Sequence, residues 1–266
     1  MFKSSSWHLF TVFGIPVKVD ASLIILAIWM FGRWESPAYD LLAFALLLVS
    51  IVLHELGHSL VGKAFGCRIR SITLMLIGGA ATFETMPRKP WQEMLVALAG
   101  PAVSLLLGFA GIFLFAPPWS FPAQVVLFFA FGWGNLVLCA FNLIPAFPMD
   151  GGRILRAVLQ QFFMSRTKAT WVASRIGRGI AVLFAIGAVL QLFGIRVPFV
   201  GSSFNMLLIA YFIFVSAENE YRLVAMEQGF GGGLSSDEPP PDEGKAVIGP
   251  PPYGRGSTRV DVYRDE

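Results

Sequence analysis

Ionisable side chains are scarce in this chain. Asp, Glu, Lys and Arg together make up 14% of its 266 residues, histidine occurs three times and cysteine twice. Three histidines are too few for a multi-His oxidase or desaturase centre. Cys67 and Cys139 stand alone, fit neither a Cys-x-x-Cys metal pattern nor a secreted disulfide framework, and read as small packing residues. Met1 to His8 lacks the charged start, apolar core and small-residue cleavage site of a removable signal peptide, so none is expected. No nucleic-acid partner is expected either.

What the chain has instead is apolar sequence. Hydrophobic residues are 55% of the total and the mean hydropathy is +0.66, far from the balance of a soluble domain. The reading is an all-α polytopic membrane protein with about six transmembrane helices and a small membrane-associated β-hairpin or sheet. Residues 1–20 are expected to form short surface strands, because β-branched residues there are broken by Gly14 and Pro16. Residues 21–217 are expected to form the six-helix domain, with spanning runs near 21–34, 39–65, 91–116, 123–144, 172–193 and 204–217. Between the second and third runs, Arg68 to Thr85 favours strand, and Gly78-Gly79 marks a turn or a close backbone approach. Residues 218–266 are expected to be a cytoplasmic tail, disordered from Gly231 onward, with Pro250-Pro251-Pro252-Tyr253 as solvated chain.

Charge distribution sets the expected orientation. With six crossings, Lys3, Lys18, Lys63, Arg68, Arg70, Arg88, Lys89 and the cations between Arg153 and Arg178 fall on one side, against Arg33 and Arg196 on the other. The expectation is a multi-pass protein of a prokaryotic cytoplasmic membrane with both termini in the cytoplasm.

Two of the three histidines sit in His54-Glu55-Leu56-Gly57-His58, directly after an uncharged apolar run from Leu41 to Leu53. Histidines four residues apart share one face of a helix and can reach a single zinc ion. Glu55 projects about 100° round the helix, where it can act on a bound water rather than ligate. Chance would produce this pattern in on the order of one shuffled chain in a thousand. If the helix enters lipid near Leu41, His54 lies roughly 20 Å down, nearer the cytoplasmic face.

A second constellation, Asn142-Leu143-Ile144-Pro145-Ala146-Phe147-Pro148-Met149-Asp150-Gly151-Gly152, follows the fourth run. Two prolines three apart cannot continue a helix, so Asp150 is expected on irregular backbone, with a cationic amphipathic helix starting at Gly152. Together and in this order, the two motifs resemble the paired signature of the site-2 protease family of intramembrane zinc metalloproteases, in its compact six-helix branch without PDZ or CBS domains. The resemblance covers roughly Gly14 to Ala217. It implies one catalytic zinc ion held by His54, His58 and Asp150, with Glu55 as the general base and acid that hydrolyses a peptide bond inside a transmembrane segment. A membrane-anchored transcriptional regulator, embedded in the same lipid bilayer, is the kind of substrate implied. Asn142 is expected either to hydrogen-bond substrate or the developing oxyanion, or to serve as a cap or interhelical bond. Gly78 and Gly79 are expected in a hairpin that receives the unwound substrate as an added strand.

Two other readings stay open at this point. In a membrane zinc protease of the prenyl-protein or heat-shock type the third ligand would be a glutamate, and Glu93 is the rival, unless it serves only as an acidic partner of its helix start. In a non-catalytic transporter or scaffold the His-Glu pair would be ornamental.

Overall fold

The structure is a computed structural model and describes residues 6–32, 36–75, 78–85, 87, 89–195 and 203–231. The elements run in the order β1 (Ser6–Val12), β2 (Ile15–Asp20), α1 (Leu23–Met30), α2 (Pro37–Ala64), β3 (Ile69–Met75), β4 (Gly78–Phe83), α3 (Pro90–Leu114), α4 (Pro122–Val126), a π-helical stretch (Leu127–Trp133), α5 (Gly134–Asn142), α6 (Asp150–Phe162), α7 (Arg166–Leu192) and α8 (Ser203–Gly231). The tail beyond Gly231, with its expected disorder and Pro-rich segment, lies outside the described residues, as do Arg33 and Arg196.

Among the described residues, four helices are long and apolar enough to cross a membrane: Pro37–Ala64, Pro90–Leu114, the continuous run Pro122–Asn142, and Arg166–Leu192. The other two expected crossings differ. At eight residues α1 rises only about 12 Å, too little to span a bilayer by itself. The last helix begins on the expected apolar run but continues past Ala217, because Glu218 pairs with Arg222 one turn on and with Arg178 of α7 at 2.9 Å. Phe113, Leu106 and Phe193 point outward with most of their surface uncovered, as side chains facing hydrocarbon do.

Local chemistry accounts for the ends of α2. Pro37 occupies the first turn, Asp40 the N-terminal end and Lys63 the last turn, each on the side that the helix dipole favours. Past the end, Gly66 takes φ +79°, which lets its N–H reach the Lys63 carbonyl at 2.9 Å and the Cys67 N–H reach the Gly62 carbonyl at 3.0 Å. This paired closure needs a residue free to be left-handed.

A four-stranded sheet in the order β1-β2-β3-β4 packs on α2. The β1-β2 hairpin closes through Phe13 and Gly14, both at positive φ, between Val12 and Ile15. The β2-β3 pairing is parallel, with Val17 opposite Ile72, so α1 and α2 form the crossover. Antiparallel pairing of β3 with β4 gives the hairpin expected over 68–85 and leaves β4 at the edge of the sheet.

Helices meet where side chains are absent. A Cβ on Gly111 of α3 would stand 2.7 Å from the Gly132 Cα, and one on Gly57 of α2 would stand 2.9 Å from the Ala99 carbonyl oxygen of α3. Small residues at such crossings let backbones approach closely in a membrane. Gly111→Leu is therefore expected to destabilise the detergent-solubilised protein by about 1–3 kcal/mol, the usual cost of overpacking, whereas Gly179→Leu, which would meet nothing within 4 Å, should be near neutral. Thermal unfolding of the two variants side by side decides the matter, and equal losses would contradict this packing.

Candidate metal centre

His54 and His58 lie on one face of α2, buried, with ring centroids 4.8 Å apart and planes at 80°. Each ring is aimed by its Nδ1. His58 Nδ1 donates to the Val96 carbonyl at 2.7 Å, and His54 Nδ1 lies 2.9 Å from the Ser104 hydroxyl. Both partners belong to α3, which passes beneath the imidazoles at Gly100. A Cβ there would stand 2.2 Å from His58 Nε2 and 2.7 Å from His54 Nε2.

The carboxylate arrives from the other end of the chain. Asp150 is the first residue of α6, with Met149 extended at the cap position, so it stands on a helix terminus rather than on irregular backbone. The expectation of a helix from Gly152 thus starts two residues late: an acidic side chain is favoured at the positive end of the dipole and can open the helix itself. Gly151 and Gly152 make the entry possible. A Cβ on Gly151 would sit 2.3 Å from the carbonyl oxygens of Leu143 and Ile144, and one on Gly152 would sit 2.7 Å from the Ala146 carbonyl carbon.

The result is a triangle. His54 Nε2, His58 Nε2 and Asp150 Oδ2 are each 3.2 Å from the other two. Among the described residues these three side chains form the group that could hold a metal ion. A carbonyl can only accept, so His58 Nδ1 carries the proton, and the Nε2 of the neutral ring presents a lone pair to a carboxylate oxygen and to a second imidazole. With His54 also protonated at Nδ1, toward the Ser104 hydroxyl, the three inward-facing atoms are all acceptors, which one cation can satisfy. Ligand atoms about 2.0–2.1 Å from a tetrahedral zinc are about 3.3 Å apart, so the triangle has the size of one face of such a site.

Glu55 stands beside the triangle without joining it. Its Oε2 accepts the Ala81 N–H of β4 at 3.0 Å, and a Cβ on Gly79 would lie 2.7 Å from its Cγ and from Ile51 Cγ2. Gly78, at φ +121°, and Gly79 therefore bring the edge strand against α2 at Glu55. Because Ala81 turns its N–H toward Glu55 and not toward β3, alternation along the strand puts the Gly79 backbone groups on the same free side. Asn142 donates from Nδ2 to the Leu138 carbonyl one turn back at 3.0 Å. Glu93 turns away to Arg156 and is not part of the triangle.

None of Ser104, Gly100 and the Val96 carbonyl was placed at the site from the sequence. The available signal was the four-residue spacing of Gly100 and Ser104, which puts a gap and a hydroxyl on one face of an otherwise apolar helix.

The description Peptidase family M50 matches residues 42–121 and 118–185, more than half of the chain and every residue of the triangle. The chain belongs to this family. A zinc metalloprotease from Methanocaldococcus jannaschii is 35% identical over 227 residues, which is 84% of this chain and 62% of that protein. Stage IV sporulation protein FB from Bacillus subtilis is 29% identical over 133 residues, 48% of this chain and 44% of that one. A solved structure of a site-2 protease from M. jannaschii superposes with a TM-score of 0.59 and 34% identity over 81% of this chain and 95% of that one. This M50 chain thus spans about three fifths of the first relative's length while matching nearly all of the solved domain.

In the M50 chain, Gly100→Ala would drive a methyl group into both Nε2 atoms. It is expected to weaken zinc binding by about 10- to 100-fold or more with helix content retained, read from metal stoichiometry and circular dichroism on the purified protein. Undiminished zinc in the variant would contradict the placement of α3 under the imidazoles.

Proposed function

We infer that this chain is an intramembrane zinc endopeptidase that cuts transmembrane segments of membrane-anchored proteins near their cytoplasmic end. The observation that carries the reading is the triangle of three inward-facing acceptors, 3.2 Å on each side, on apolar helices and next to a glutamate that does not join it. His54, His58 and Asp150 would hold the ion. When bound, zinc supplies Lewis acidity to the scissile carbonyl and brings the pKa of the attacking water towards about 7.

The remaining chemistry falls to side chains and backbone of the chain. Glu55 takes the proton from the attacking water and passes it to the leaving nitrogen, and the Ala81 N–H holds its carboxylate in place meanwhile. A substrate helix satisfies its own backbone hydrogen bonds, so it must unwind before a carbonyl is accessible. On the free side of β4 the Gly79 backbone and the Ala81 carbonyl offer partners for the unwound segment, and this side lies against Glu55, so an added strand would deliver its carbonyls beside the base. Asn142 is free to turn from the Leu138 carbonyl and donate to substrate. Cytoplasmic placement is supported by Lys63, Lys89 and Arg153 near the site. A glutamate third ligand is disfavoured because Glu93 is engaged by Arg156.

Co-expression with candidate single-pass membrane regulators tests the proposal. Wild type should release the cytoplasmic part of a true substrate, and Glu55→Gln should abolish release while zinc stays bound; cleavage by Glu55→Gln at the wild-type rate would refute the role of the base. Gly79→Pro, which removes one open backbone donor on β4 and also sets a Cβ against Glu55 and Ile51, should slow cleavage with zinc content unchanged.

A further inference from the structure

The charges that the metal triangle does not use gather around one side chain. Arg156 lies six residues along α6 from Asp150, about 9 Å up the helix, and is 1% exposed. Its Nε donates to Glu93 Oε1 at 3.0 Å, its Nη2 donates to the same oxygen, and its Nη1 donates to Glu220 Oε1 at 2.5 Å. The guanidinium carbon stands 5.2 Å from the centre of the buried Phe147 ring. One cation thus touches α3, α6, α8 and the loop that leads into Asp150.

The two helices joined by the Arg156–Glu93 pair are the two walls of the metal centre. Along α3 from Glu93 come Val96, whose carbonyl aims His58, then Gly100 beneath both rings, then Ser104 beside His54. Along α6 in the reverse direction from Arg156 comes Asp150. The helix that orients the imidazoles and the helix that brings the carboxylate are therefore braced by a buried ion pair. For stability alone, apolar side chains of similar volume would serve as well or better, since desolvating both charges is costly. What a forked guanidinium adds is direction: it fixes two acceptors and a ring in one geometry.

We propose that Arg156 is a positioning residue which, through Glu93 and Phe147, keeps Asp150 in register with His54 and His58 and so sets how firmly the centre retains its metal. The proposal rests on the zinc reading above. The contact to Glu220 is a side arm: that glutamate is one-third exposed, and α8 carries none of the three acceptors.

The test uses the full chain, purified in detergent and loaded with zinc, with transfer of the metal to a chromogenic chelator as the readout. The paired variant Arg156→Met with Glu93→Leu removes both charges while preserving volume. It should fold with a thermal midpoint near that of wild type yet release zinc about 10-fold faster, and amide exchange across 150–156 should rise in the metal-stripped protein. Arg156→Lys, which keeps a buried cation without the fork, should release zinc at an intermediate rate, and it carries the test if the apolar pair does not fold. Glu220→Gln should release zinc as wild type does. Wild-type release by the folded pair, or by Arg156→Lys where the pair does not fold, would overturn the proposal, and so would Glu220→Gln losing zinc as fast as the pair. A wild-type chain that binds no zinc at all would instead overturn the metal reading, and this inference with it.

Discussion

Three ligand atoms that face one another within a largely apolar bundle need a shared partner. They are largely buried, so charge among groups 3.2 Å apart is weakly screened. The arrangement of His54, His58 and Asp150 is thus suited to one cation, and the rest of the molecule can be understood as what is needed to hold that arrangement in shape. Hydrogen bonds to α3 engage the outer nitrogens, so that neither ring turns freely.

Holding that shape depends on places where side chains are missing. Gly57 brings α3 close to α2, Gly100 makes room for two imidazoles, and Gly151 and Gly152 let the first turn of α6 nest into the loop before it. In a bilayer the hydrophobic effect does not press helices together, so close backbone approach and buried polar contacts carry the association. Long helices and a few glycines then suffice to bring residues 96 positions apart in sequence to hydrogen-bonding distance.

Much of this could be read from the residues. The periodicity of α2 put both imidazoles on one face, and the helix carrying them, the following hairpin and the membrane character of the chain all appear in the structure. What resisted was information that resides in partners rather than in patterns. Nothing in the sequence near His58 indicates that its outer nitrogen meets a main-chain carbonyl, because every residue has one. Glu93 looked like a dipole partner or a rival ligand, since nothing local pointed to Arg156 63 residues later. The extension of α8 depends on Arg178 of another helix, and the short α1 on where Gly32, at φ +83°, turns the chain, so apolar runs alone did not give the bounds of the first and last helices. Asp150 was assigned to irregular backbone on account of the prolines before it, although it is the first residue of α6.

The two imidazoles differ in how they are anchored, and the difference bears on how such a protein can diverge. His54 leans on a hydroxyl, a group that a single codon change deletes, whereas His58 leans on peptide backbone that no substitution at Val96 can remove. One half of the centre is therefore exposed to genetic drift and the other is inherited with the helix itself. A change of side chain at position 104 alters how the His54 ring is held, whereas the carbonyl that holds the His58 ring persists whatever side chain stands at position 96.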